Sequence, residues 1–171
     1  MLRITHASTE EHFQQARQLI VEMARWDAEQ SKQVGLDPQE VLAFFYPTDD
    51  ELRRESAPPA GSLLLATFAE APAGCAAFRR IDGDACELHS VYVRDPFRGR
   101  RIGRLMVEHL VAGARDVGYR VMRLETASFM QEAQGLYASI GFRSRGAYRE
   151  VPKIFEPWTL FMELTLAASS Q

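Results

Sequence analysis

The stretch from Glu87 to Leu105, E-L-H-S-V-Y-V-R-D-P-F-R-G-R-R-I-G-R-L, constrains the fold more than any other part of the chain. Its first half reads as a strand: Leu88, Val91, Tyr92 and Val93 are strand formers, and no breaker precedes Asp95-Pro96. Its second half opens a helix. Ile102, Leu105, Met106, Leu110, Ala114 and Val117 recur at helical spacing, and Gly118 stands where a C-terminal cap belongs. Between the two lie Gly99, Gly103 and a concentration of arginine: Arg94, Arg98, Arg100, Arg101 and Arg104. A strand, a glycine-containing turn and a helix N-terminus make an anion-binding arrangement. The first helical N–H groups have no internal partners, and the helix dipole adds partial positive charge there. Arginines around that point suit a multiply charged anion such as a pyrophosphate.

The rest of the chain bounds the reading. A length of 171 residues is one domain by default, and 46% hydrophobic with 25% charged residues is ordinary globular composition. The net charge of −3 argues against general nucleic-acid binding, which needs a broad basic surface. Lysine occurs only at Lys32 and Lys153, so arginine carries nearly all the positive charge; a coding bias is the plain alternative for any single arginine. The N-terminus has no long apolar run of the signal-peptide kind. The apolar run Leu63–Ala66 soon meets Glu70, far short of the ~20 residues of a membrane helix. Cys75 and Cys86 flank a hairpin turning at Asp82-Gly83; the expected register sets Cys75 opposite Ser90, too far from Cys86 to bridge. Reduced thiols and a cytoplasmic location are the corresponding expectations.

Taken in order, Leu2 to Ala7 reads as a strand, followed by a capping box at Ser8-x-x-Glu11 and a first helix with Phe13, Ala16, Leu19, Ile20 and Met23 on its apolar stripe. Asp37-Pro38-Gln39-Glu40 starts a second helix that stops before Pro47, and Thr48-x-x-Glu51 caps a short third. Strands are expected near 62–69, 73–81 and 85–93, then a helix over roughly 99–117 and a strand from Val121 to Glu125, which favours parallel pairing across the helix. Ser128-x-x-Gln131 reads as another capping box, before a helix bearing Phe129, Ala133, Leu136, Tyr137 and Ile140 and ending at Gly141. Phe142 to Tyr148 and Trp158 to Leu166 read as the closing strands, with one domain over 1–168 and a tail at 169–171.

Two motifs carry a family resemblance. Arg98-Gly99-Arg100-Arg101-Ile102-Gly103 resembles the Gln/Arg-x-x-Gly-x-Gly/Ala signature of the GNAT superfamily of N-acetyltransferases, with Arg101 in place of the middle glycine. Ala133-x-x-Leu136-Tyr137-x-x-Ile140-Gly141-Phe142 resembles the family's A-x-x-L-Y-x-x-x-G-F, with Met130 where an asparagine is usual. The resemblance implies a single α/β (α+β) domain. Its sheet would be mixed, mostly antiparallel and six- to seven-stranded, with a central parallel pair splayed at the cofactor site and about four helices on both faces.

The resemblance also implies roles. Acetyl-CoA would be the co-substrate, its pantetheine arm bonded along the fourth strand at Val91 and Val93. Its pyrophosphate would lie on the loop formed by Arg98, Gly99, Arg100, Arg101, Ile102, Gly103 and Arg104. Acyl transfer needs a base, because only about one alkyl ammonium in a thousand is neutral at pH 7. Glu87 is the candidate, with His89 as an alternative relay. A structural carboxylate paired with an arginine is the competing reading of Glu87. Tyr137 is the candidate acid for the departing thiolate, with a core tyrosine as its competing reading. Trp26, Asp27, Phe45 and Thr126 are the acceptor-cleft candidates; they suit an ordinary surface equally well. Two ligands do not close a metal site, so no metal is expected from Glu87 and His89. Neither motif holds a cysteine, so transfer would be direct. The expected function is N-acetyl transfer from acetyl-CoA to a small-molecule or peptide amine, with a non-catalytic acyl-CoA-binding module as the alternative. Neither nucleic acid nor membrane is an expected partner, and a homodimer is left open.

Overall fold

The computed structural model describes residues 1–166; the tail expected at 169–171, and the last two residues assigned to the domain, lie outside the described residues. Seven strands among the described residues form one sheet: β1 (Leu2–His6), β2 (Ser62–Phe68), β3 (Ala71–Arg80), β4 (Ala85–Val93), β5 (Val121–Ala127), β6 (Arg143–Arg145) and β7 (Thr159–Thr165). Their order is β1-β2-β3-β4-β5-β7-β6. Among the described residues, five α-helices accompany them: α1 (Glu10–Ser31), α2 (Pro38–Phe45), α3 (Asp49–Glu55), α4 (Ile102–Val117) and α5 (Gln131–Ile140). The sheet is antiparallel except at β4 and β5, the pair joined through α4.

The pleat divides the apolar residues between two cores. On β2, Leu64 and Ala66 pack with α4 and α5, while Leu63 and Leu65 pack with α1 and Leu52 of α3. That two-sided burial is why the run Leu63–Ala66 is continuously apolar instead of alternating. The α4 face buries Ile102, Met106, Val107, Leu110 and Ala114 beneath Phe78 and Leu88. At ~25 cal/mol per Å² of apolar area, each of these side chains larger than alanine contributes about 1.5–3 kcal/mol.

Two expected capping boxes are absent. α1 is capped by Thr9, whose Oγ1 accepts the His12 amide at 3.2 Å, one residue after the Ser8 of the expected box. α5 begins at Gln131 behind Met130, which caps nothing; Ser128 is held earlier, its amide bonded to the Trp158 carbonyl at 2.8 Å. The Thr48–Glu51 box and the Asp37 cap form as expected. α4 starts at Ile102, three residues later than expected, because Gly99 (φ +76°) and Arg101 (φ +63°) are left-handed. The strand expected from Phe142 to Tyr148 is only Arg143–Arg145, and the irregular chain beyond it brings the Tyr148 hydroxyl to Glu87 of β4.

β4 carries the feature that makes the cleft. It pairs with β5 only at Ala85, Cys86 and Glu87, so on that edge Leu88 to Val93 lack a strand partner. On the other edge Ala77 faces His89 but Cys75 faces Tyr92, so β4 carries one extra residue there. The bulge centres on Ser90, at φ +54°, and its carbonyl accepts the Cys75 thiol at 3.4 Å. Cys75 therefore stands opposite Tyr92, not Ser90. Both thiols are free and buried, and burial pushes each up to about 12.

Candidate active site

A cavity of about 770 Å³ occupies the gap between the diverging β4 and β5. Its walls include most of the site residues expected from sequence: Glu87, His89, Val91, Val93, Arg98, Gly99, Arg101, Ile102, Gly103, Arg104 and Tyr137, with Trp26 and Asp27 from α1, Phe45 from α2 and Thr126 from β5. Arg100 is the exception. Its guanidinium lies over the Phe68 ring, 4.8 Å from the centroid, and the side chain does not reach the cavity.

The anion-binding end is built from backbone. α4 has no side-chain cap, so the Ile102, Gly103 and Arg104 amides are free of helical partners at the cavity wall. A Cβ added at Gly103 would meet Leu136 at 3.5 Å and Val93 at 3.7 Å, ordinary contacts. Packing therefore does not require glycine there, whereas close approach of a ligand to the helix end would. Arg101 occupies the αL position where the family signature has glycine, at a cost of roughly 1–2 kcal/mol. Arg98 is held by the Val93 carbonyl at 3.0 Å and by Asp95 at 2.9 Å. Arg94, also in the basic cluster, is a structural residue: it forks onto Glu22 at 2.8 and 2.7 Å.

The middle of the cleft holds carboxylates in contrasting states. Glu87 is 4% exposed. Its Oε1 accepts Arg79 Nε at 3.0 Å and Arg79 Nη2 at 2.6 Å, and its Oε2 accepts the Tyr148 hydroxyl at 2.6 Å. Arg79 also donates to Glu55 at 2.8 Å. Glu125 accepts Arg149 Nε at 2.8 Å. The pairing of Glu87 with an arginine is the alternative that its sequence position left open. Neither Arg79 nor Tyr148 carries a sequence signal; Tyr148 sits in an irregular segment 61 residues from its partner. Asp27 lines the same cavity and has no hydrogen bond or ion pair among the described residues. Burial pushes its carboxyl up to about 7.

His89 does lie on the Glu87 side, despite the bulge at the next residue. Its Nδ1 is 3.0 Å from Ser90 Oγ, and its Nε2 is buried without a protein partner. Burial, aided by the Arg79 charge, pushes it down to about 3, so it is a neutral imidazole and a weak base near pH 7. Tyr137 is 8% exposed and packs edge-on against Phe142, 5.9 Å between centroids. Its hydroxyl has no protein partner among the described residues. Burial, then the nearby Asp27 charge, hold its phenol above the ordinary tyrosine range.

Residues 20–142 match the model of the Acetyltransferase (GNAT) family. The chain belongs to the GNAT acetyltransferase family. An uncharacterised N-acetyltransferase of Schizosaccharomyces pombe is 33% identical over 128 residues, 72% of this chain and 77% of that protein. The solved GNAT acetyltransferase of Staphylococcus aureus superposes with a TM-score of 0.74 at 14% identity, over 98% of this chain and 100% of that one. A GNAT acetyltransferase of Elizabethkingia anophelis, solved with acetyl-CoA bound, superposes with a TM-score of 0.61 at 15% identity, covering 96% and 98%. This GNAT chain is an acyltransferase by family, and the splayed β4–β5 pair with the bare α4 N-terminus is where its fold opens. No helix among the described residues is long and apolar enough to cross a membrane.

Proposed function

We propose that this protein transfers an acetyl group from acetyl-CoA to a primary amine by direct attack. The observation that carries the reading is the β4 edge from Leu88 to Val93, unpaired beside a 770 Å³ cavity that ends at the free amides of α4. An extended pantetheine arm can add to that edge as a strand would, at Val91 and Val93. The amides of Ile102, Gly103 and Arg104, with Arg98 and Arg101, suit the pyrophosphate in charge and placement. That a GNAT neighbour was solved with acetyl-CoA supports the same ligand. Acetyl-CoA supplies the activated thioester.

The chain's own residues do the rest. Tyr137 places a neutral O–H in the cavity with nothing in the protein to occupy it, so it can donate to the leaving sulfur. Glu87 and His89 form the cleft floor in this reading. Glu87 keeps Arg79 and Tyr148 in place, and three of its roughly four acceptor positions are filled. Trp26, Phe45 and Thr126 line the acceptor end and suit an amine with an apolar body. The domain spans residues 1–168 in this proposal. Thermal shift with acetyl-CoA, followed by thiol release over a panel of primary amines, tests it. Stabilisation without thiol release from any amine would favour a non-catalytic acyl-CoA-binding module.

A further inference from the structure

We propose that Asp27, and not Glu87, is the carboxylate that takes the proton from the acceptor's ammonium group. The inference rests on the transferase reading above and assigns its missing base.

Four carboxylates line the cavity: Asp27, Glu87, Glu125 and Glu132. Glu87 has three of its roughly four acceptor positions filled by Arg79 and Tyr148, and Glu125 is forked by Arg149. The lone pairs of both are engaged by cations already in place: Arg149 holds Glu125, and Arg79 is shared between Glu87 and Glu55. Glu132 is exposed in the first turn of α5. Among the described residues, Asp27 alone is half-buried at the cavity wall with no protein donor. It comes from α1, and Tyr137 of α5 lines the same cavity, near enough for the Asp27 charge to bear on its phenol. The cavity's cations are directed elsewhere: Arg79 to Glu55 and Glu87, Arg98 to Asp95, Arg104 to Glu108. Arg101 makes no ion pair among the described residues, but it stands at the α4 end and does not act on Asp27, whose shift comes from burial alone.

A base must be ionised when substrate arrives, have a free lone pair, and hold a proton well enough to remove one from nitrogen. A carboxyl raised to about 7 meets the first and last conditions together near neutral pH, and the missing donors meet the second. Asp27 and Tyr137 line one cavity, so a base and an acid are available to the same bound substrate. The protons balance as follows. The ammonium N–H passes its proton to Asp27, leaving a neutral amine. The nitrogen lone pair forms the C–N bond at the thioester carbonyl carbon, the C–S bond breaks with its electrons going to sulfur, and Tyr137 protonates the sulfur. The second proton lost by nitrogen restores the Tyr137 phenol, and the Asp27 proton leaves to solvent. Products are the amide, the free thiol of coenzyme A and one proton.

The test uses the full chain with Asp27→Asn, Asp27→Glu and Glu87→Gln. Carbon-13 carboxyl labelling of aspartate gives the first readout, without substrate. One signal should titrate near neutral pH in wild type and be missing in Asp27→Asn; an Asp27 signal titrating near pH 4 would overturn the assignment. The second readout is thiol release from acetyl-CoA between pH 5.5 and 9, with phenylethylamine and a panel of other primary amines as probes. The acid limb of kcat/KM should disappear in Asp27→Asn with a fall of 10²-fold or more, acetyl-CoA affinity unchanged, and be partly restored in Asp27→Glu. A limb that survives in Asp27→Asn, or is lost in Glu87→Gln instead, overturns the proposal while leaving the transferase reading intact. A wild-type protein inert toward every amine overturns both.

Discussion

The Tyr148 hydroxyl donates to Glu87 Oε2 at 2.6 Å, joining the irregular segment after β6 to the point where β4 and β5 part. The Tyr148 ring is itself held by Phe161, 5.1 Å between centroids, and by the guanidinium groups of Arg123 and Arg145, each 5.6 Å away. Arg79 completes the shell of Glu87 from β3. The network locks the end of the β4–β5 ladder just where the cleft opens.

Glu87→Gln should therefore act first on stability. The amide can still meet some donors, but the charge facing Arg79 is lost. Hydrogen bonds to charged groups contribute roughly 1.5–3 kcal/mol, so a loss of about that size is expected in chemical denaturation. Turnover per folded molecule should fall less than 10-fold. A stable variant with a 10²-fold or greater rate loss would restore Glu87 as the base.

Tyr137→Phe separates a catalytic hydroxyl from a packing ring. The ring contact with Phe142 is kept and the hydroxyl has no protein partner to lose. Stability should change by no more than about 0.5 kcal/mol, below the ~1 kcal/mol of a typical hydrogen bond. kcat and kcat/KM should fall together, the pattern of an interaction made only in the transition state. Single-turnover kinetics beside denaturation of both proteins measures this; unchanged turnover would return Tyr137 to the core.

The fold was largely legible in the sequence because its signals are local. The switch from strand formers at Leu88–Val93 to helical spacing at Ile102–Val117, closed by Gly118, marked the β4–α4 unit. The Ser8 and Ser128 boxes misled because a Ser-x-x-Glu/Gln pattern permits a capping box without fixing where the helix begins. Thr9, one residue on, took the first site, and the loop bond of Ser128 to Trp158 prevented the second. In the cleft, the residue types were legible but their pairings were not. Whether Glu87 or Asp27 is free depends on Arg79 and Tyr148, which reach Glu87 only through tertiary folding.

Asp27 also makes stability depend on pH. Its folded carboxyl is raised to about 7, above the ~3.9 of an unfolded chain, so the native state holds a proton that the unfolded state has lost between those values. Stability from this group is fully present below about pH 4 and is lost as pH rises toward 7. Asp27→Asn cannot ionise, so its advantage over wild type should grow from pH 4.5 to 7 and level off above. Urea denaturation across that range measures it; a pH-independent difference would mean Asp27 titrates normally.

Arg101→Gly relieves a left-handed residue. Removing roughly 1–2 kcal/mol of αL cost, less the ~0.5–1 kcal/mol of added chain entropy, should leave the protein about 0.5–1 kcal/mol more stable. Acetyl-CoA affinity should nevertheless fall, with a weaker salt dependence, because the proposed pyrophosphate site loses a guanidinium. Unaltered affinity and salt dependence would place Arg101 outside the cofactor site.

Calorimetric titration of acetyl-CoA into wild type and Gly103→Glu tests the cofactor assignment most directly. A Cβ at Gly103 makes only ordinary contacts and the position lines the cavity, so the variant should stay folded while its carboxylate occupies the helix end. The expected result is one saturable site per chain in wild type and none in the folded variant. Equal affinity in both proteins, or no binding to wild type at millimolar acetyl-CoA, would contradict it.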